Sequence, residues 1–167
     1  NAIASAEPED QRKFWATEFY NILHDFKFVP GGRILAGAGT GYDVTLFNCF
    51  VIEYPKDSRQ GIFESLGKWV EIMSKGGGVG INLSSLRPRG ARVYKVNGTS
   101  SGAVSWGEMF SDATGRVIQG GTRRGAAMIC MEIWHPDIEE FITVKEDLSR
   151  YTNANLSVLL TDDFMQA

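Results

Sequence analysis

The chain has few cysteines, few prolines, no long apolar run and no excess of basic charge, and each scarcity excludes a class of protein. Two cysteines in 167 residues, Cys49 and Cys130, are too few for a secreted disulfide framework or a four-cysteine zinc site. Five prolines exclude a proline-rich linker or a collagen-like repeat. No apolar stretch approaches the roughly 18 to 20 residues of a membrane span, and Asn1 to Asp10 lacks the basic start and apolar core of a signal peptide. A net charge of −3 leaves no broad basic surface for a phosphate backbone, so direct nucleic-acid binding is not expected. These absences read as a cytoplasmic chain.

What remains is a globular composition, 43% hydrophobic and 22% charged, long enough for one domain with a core. Glycine is the exception: 19 residues, where a usual share of about 7% would give roughly 12. Twelve of the 19 fall in three clusters, Gly31 to Gly41, Gly76 to Gly80 and Gly120 to Gly125. Glycine lets backbone N–H groups approach an anion or a sugar, and it equally serves tight turns and close packing. Neither GxxxxGK[ST] nor GxGxxG occurs, so the clusters alone decide nothing.

Hydrophobic spacing predicts a helix over Gln11 to Lys27, a buried strand over Leu46 to Glu53, and a helix from an Asp57-Ser58 cap to Lys75. A strand over Val79 to Leu83, a helix from Trp106 to Val117, and a strand over Ala126 to Ile133 follow. Pro136 to Lys145 reads as a short helix and Leu156 to Leu160 as a strand, with Thr161 or Asp162 capping a further helix. Strands alternating with helices predict βαβ units and a parallel sheet, with ligands at the carboxyl ends of its strands. The chain stops at Ala167 inside that last helix, as expected of a piece of a longer protein.

Two arginine pairs stand out. Arg123 and Arg124 sit in the glycine-flanked run Gln119-Gly120-Gly121-Thr122, and Arg87 and Arg89 follow the Val79 strand. Guanidinium groups there can fork onto phosphate or stack on a base, or can be solvated surface groups. Asp57 and Ser58 can cap a helix or accept a ribose hydroxyl. His135-Pro136-Asp137 holds two metal-ligand types with no third nearby, so no metal site is expected. By composition both cysteines read as small core hydrophobes.

Seven segments in order resemble the catalytic subunit of ribonucleotide reductases, most closely the adenosylcobalamin-dependent class II enzymes. They are Val29-Pro30-Gly31-Gly32-Arg33-Ile34-Leu35, Phe47-Asn48-Cys49-Phe50, Gly76 to Leu83, Leu86-Arg87-Pro88-Arg89-Gly90, Asn97 to Gly102, Gln119 to Ala126, and Trp134-His135-Pro136-Asp137-Ile138. The resemblance implies an α/β fold: residues 1–28 form a helical segment, and residues 29–167 form the first half of a ten-stranded α/β barrel. It implies that a cysteine radical removes the 3′ hydrogen of a ribonucleotide, the 2′ hydroxyl leaves, and a cysteine pair supplies the electrons.

By the same resemblance Cys49 is the first cysteine of that pair, and Gly32, Asn48, Cys49, Gly77, Gly78 and Arg123 meet the substrate. Relatives often carry a small hydroxyl residue where Gly32 stands. Asp57, Ser58 and Arg87 would contact the allosteric nucleotide, a deoxynucleotide or ATP, and Gln119, Gly120, Gly121, Thr122, Arg123 and Arg124 form the loop between the two sites. Cys130 matches no family cysteine. Adenosylcobalamin as cofactor and a thioredoxin-type reductant as partner are implied in the same way, with a homodimer as a compatible assembly. The radical cysteine and the second cysteine of the pair are absent from these 167 residues, so the segment alone is expected to be inactive. A non-catalytic nucleotide-binding module and one half of a split reductase are the alternatives.

Overall fold

The computed structural model describes residues 1–94, 97–119 and 123–167. It divides into two compact units, Asn1–Asn48 and Cys49–Ala167.

In the first unit, a 3-10 turn at Ile3–Ala6 precedes helix α1 (Arg12–Leu23), a second 3-10 turn at His24–Phe26 and helix α2 (Gly32–Gly37). Helix α1 follows the expected spacing, but none of its residues is fully buried and Ile22 stays 45% exposed. Helix α2 begins inside the first glycine cluster, where the spacing predicts no helix. Gly31 is extended at its N-cap, and Arg33 to Ala36 are ordinary helix formers that continue the turn.

The second unit carries β1 (Cys49–Val51), α3 (Arg59–Ser74), β2 (Gly78–Asn82), the hairpin β3 (Arg92–Val93) and β4 (Gly98–Thr99), and α4 (Ala103–Arg116). There follow the hairpin β5 (Ile118–Gln119) and β6 (Arg123–Arg124), then β7 (Ala127–Glu132), α5 (Ile138–Thr143), β8 (Asn155–Leu159) and α6 (Asp162–Gln166). Strands β1, β2, β7 and β8 form one four-stranded sheet in that order, every pair parallel. Each next long strand is thus added on the same side, as in a barrel wall.

Because residues paired across parallel strands share a face, the register divides the sheet cleanly. One face carries Phe50, Val79, Ile81, Ala127, Ile129 and Met131, of which Ile129 and Met131 are fully buried. Trp69 and Met73 of α3 and Phe110 of α4 pack with these residues in a single hydrophobic cluster. The other face carries Cys49, Val51, Gly78, Gly80, Asn82, Met128, Cys130 and Asn155. That face is open, with Val51 91% and Met128 39% exposed.

The strand over Leu46 to Glu53 was expected to be buried, and here the structure corrects the sequence. Strand β1 is three residues long and lies at the edge of the sheet, with Cys49 and Val51 exposed. An apolar run records that a strand becomes covered, without recording which chain segment covers it.

Candidate functional site

The two ends of this sheet are built differently. At the amino end, Cys49 opens β1 and pairs in register with Gly78 of β2. Gly78 and Gly80 put no side chain on the open face of β2, so the surface beside Cys49 is concave. A cavity of about 820 Å³ begins there and runs along the open face, from Cys49, Gly78 and Gly125 to Tyr54, Asn82 and Leu159.

Gly77 precedes that strand at a close approach: a Cβ there would fall 2.7 Å from both Ile72 Cγ2 and Phe50 Cε2. Its N–H donates to the carbonyl of Ile72, so α3 turns into β2 within three residues. Cys130 shares the open face of Cys49 rather than the covered core, in register with Asn82. It lies four residues along and two strands across from Cys49, roughly 16 Å at ordinary strand spacing, well outside disulfide reach. Partial burial pushes the Cys130 thiol above its usual value.

At the carboxyl end, the β1-to-α3 turn and the loop after β2 meet. Ser58 caps α3, its hydroxyl accepting from the N–H of Gly61 at 3.0 Å. Asp57, one residue earlier, accepts from Arg87: Nε donates to Oδ2 at 2.8 Å, the backbone N–H to Oδ1 at 3.3 Å, and an outer guanidinium nitrogen to the Asp57 carbonyl at 3.3 Å. The structure therefore brings Asp57, Ser58 and Arg87 together on the wall of a cleft of about 790 Å³. Tyr94, Thr99, Ser101 and Trp106 complete it. Two guanidinium groups, Arg59 and Arg87, several hydroxyls and two aromatic rings suit a ligand with phosphate, sugar and base.

The loop carrying Arg87 is held by His135-Pro136-Asp137, a role invisible in the sequence. His135 is buried; its Nε2 donates to the carbonyl of Leu86 at 2.8 Å, because its Nδ1 accepts from the N–H of Asp137 at 3.1 Å. The Asp137 carboxylate then accepts from the backbone of Arg89 at 3.0 Å and of Ala103 at 2.9 Å. Asp137 precedes α5 but caps α4 instead of its own helix. Gly102, at φ +91°, leaves room for that carboxylate, since a Cβ there would lie 2.8 Å from Asp137 Oδ2.

Arg89 extends the clamp with a two-pronged ion pair to Glu140 at 2.9 and 2.6 Å. A further polar group, also unforeseen, closes the carboxyl end of the open face. Glu132 there accepts from Asn82 Nδ2 at 3.2 Å, from the Tyr54 hydroxyl at 3.4 Å and from the Trp134 ring N–H. Among the described residues no three His, Cys, Asp or Glu side chains group to hold a metal.

In the first unit, Asn48 Nδ2 lies 3.8 Å from where a Cβ of Gly31 would stand, and a Cβ on Gly32 would meet nothing within 4 Å. Gly120, Gly121 and Thr122 lie outside the described residues, as do the side chains of Gln119, Arg123 and Arg124. The backbone of that segment forms the β5–β6 hairpin, with Gln119 paired to Arg123.

The family model described as "Ribonucleotide reductase, barrel domain" matches residues 47–167, the whole of the second unit. The chain belongs to the ribonucleotide reductase barrel-domain family. Similar curated proteins include the vitamin B12-dependent ribonucleoside-diphosphate reductase of Mycobacterium tuberculosis, 42% identical over 96% of this chain and 23% of the relative. The protein of the same name from Thermoplasma acidophilum is 39% identical over 90% of this chain and 19% of its own length. The ribonucleoside-diphosphate reductase large chain of Cryptosporidium parvum is 33% identical over 79% of this chain and 16% of its own. The chain thus spans less than a quarter of these relatives. The four parallel strands are part of a reductase α/β barrel, as the order of motifs implies. No helix among the described residues is long and apolar enough to cross a membrane.

Proposed function

We propose that this chain is the substrate-and-effector part of a ribonucleotide reductase, whose complete form converts ribonucleotides to deoxyribonucleotides in the cytoplasm. The observation that carries the proposal is the placement of Cys49. Its thiol stands on the uncovered face of a barrel wall, over a glycine floor, in a cavity of about 820 Å³. A reducing thiol must reach the ribose while the rest of the barrel keeps water out.

In the proposed reaction the Cys49 thiol and a second thiol from the rest of the protein give up two electrons and two protons. They become a disulfide, and the 2′ hydroxyl leaves as water. An external dithiol of the thioredoxin type then reduces that disulfide. Asn48, Gly77, Gly78 and Arg123 are the proposed substrate contacts. The Gly77 N–H is already given to Ile72, so Gly77 contributes through its shape. Gly32 has space around it for a side chain or a bridging water.

The cleft at the opposite end is the proposed effector site. Arg87 there answers to phosphate, Asp57 to a ribose hydroxyl, and Tyr94 or Trp106 to a base. Adenosylcobalamin, implied by the names of the relatives, supplies the radical in such enzymes. The cavity beside Cys49 is lined by apolar and amide side chains with Lys145, and no residue of this chain is assigned to holding the cofactor. The chemistry assigned here is therefore that of the thiol and the nucleotide-binding groups.

The test is to purify the complete protein with adenosylcobalamin and a dithiol, and to follow 2′-deoxyribonucleotide formation chromatographically with and without ATP or deoxynucleotides. Product that responds to effector is expected. Nucleotide binding without product would make the protein a binding module instead.

A further inference from the structure

Helices α3 and α4 each run from the nucleotide cleft to the Cys49 cavity. Helix α3 starts at Ser58 beside Asp57, and its Arg59 and Ile62 line the cleft. Sixteen residues later, roughly 24 Å, it delivers the chain to Gly76 to Gly78. Helix α4 starts after Ser101, puts Trp106 in the cleft wall, and ends where β5 leads toward the Cys49 cavity.

Between them, among the described residues, lies a buried polar contact in a largely apolar cluster. Trp69 Nε1 donates to Thr114 Oγ1 at 3.0 Å, both side chains being almost wholly excluded from solvent. The Thr114 hydroxyl passes its own proton to the carbonyl of Phe110 at 2.8 Å, and the Phe110 ring meets Trp69 edge-on at 5.3 Å. The methyl of Thr114 points the other way, toward Gly125. A Cβ on Gly125 would meet Thr114 Cγ2 at 3.1 Å and Met73 Sδ at 3.0 Å. Met73 stands one helical turn beyond Trp69, also fully buried. Gly125 is the residue through which the hairpin enters β7, and it lines the Cys49 cavity.

We propose that Trp69 and Thr114 are positioning residues for substrate choice: their hydrogen bond fixes the axial register of α3 against α4, and Thr114 and Met73 pass that register to Gly125. The proposal rests on assigning the cleft to an effector and the cavity to the substrate. A close-packed interface holding one directional bond has discrete registers rather than a continuum. A ligand that engages Asp57 and Arg87 more strongly in one register selects it, and Gly125 moves because its neighbours leave it no slack.

The experiment uses the complete reductase and measures selectivity between a purine and a pyrimidine ribonucleotide under two different effector nucleotides. The coupling is the ratio of the two selectivities. Trp69→Phe keeps the ring packing and removes the donor; Thr114→Val removes the acceptor at nearly the same volume. Each is expected to lower the coupling about fivefold, and the double variant to lower it no further than either single. Turnover of Trp69→Phe without effector stays within about twofold.

Unchanged coupling in Trp69→Phe overturns the proposal. So does an equal loss of turnover under every effector with selectivity kept, which assigns the bond to stability alone. If Trp69→Phe fails to fold, Thr114→Val reads the same ratio. A wild-type enzyme whose selectivity ignores nucleotides, with Arg87→Ala binding them as well as wild type, fails the underlying assignment instead.

Discussion

The two ends of the four-stranded sheet solve opposite problems. At the carboxyl end, polar side chains already satisfy one another: Arg87 lies on Asp57, Asp137 joins Arg89 to the start of α4, and Glu132 gathers Asn82 and Tyr54. At the amino end, side chains are withheld: Gly78 and Gly80 leave the β2 floor bare beside Cys49. The end proposed to read a nucleotide gains from charges arranged in advance, so that little reorganisation accompanies binding. The end proposed to bring a thiol to a sugar needs room, which the bare glycine floor leaves. Ligands were expected at the carboxyl ends of the strands. The cleft follows that rule, whereas Cys49 lies at the other end.

The comparison can be broken one end at a time. Cys49→Ser in the complete reductase is expected to abolish turnover sustained by an external dithiol while leaving effector affinity within about twofold, because the cleft lies at the opposite end of the sheet. Retained multiple turnover would remove Cys49 from the reducing pair. Arg87→Ala acts on the other end. Losing charge-assisted bonds worth about 2 kcal/mol is expected to weaken effector binding roughly thirtyfold, as equilibrium binding would report, without raising the substrate KM in the absence of effector.

Ser58→Ala removes the cap of α3 and is expected to cost about 1 kcal/mol, a fall of a few degrees in Tm. An unchanged melting curve would mean that solvent caps α3 equally well. Gly32→Ser is the mildest. With no atom within 4 Å of its Cβ, it is expected to fold normally and, as a proposed substrate position, to change KM about threefold; an unchanged KM would remove Gly32 from the substrate contacts.

Much of this was legible in the sequence because short-range patterns carry it. The Ser58 cap, the 3.6-residue stripe of Trp69, Val70 and Met73, and the stripe of Trp106, Phe110 and Val117 correspond to α3 and α4, and Thr161 caps α6 as expected. The candidate set Asp57, Ser58 and Arg87, thirty residues apart at its extremes, assembles in space.

Other features were hidden for identifiable reasons. Strand β1 read as buried because an apolar run does not tell an edge strand from a central one, and β1 lies at the sheet edge. Helix α2 was masked by glycines at its start. The hairpins β3–β4 and β5–β6 pair only two residues on each strand, too few for any periodicity. Nothing local marks Asp137 as a cap for α4, since only the fold could bring Ala103, thirty-four residues earlier, within 2.9 Å of its carboxylate.

By itself the sequence determined the alternation of strands and helices and the family, since these depend on local spacing and on motifs in order. The tertiary structure decided that Cys49 and the Asp57–Arg87 pair stand at opposite ends of one sheet, and that Trp69, Thr114 and Gly125 lie between them. Register and helix packing set those distances, and both are sums over contacts far apart in the chain.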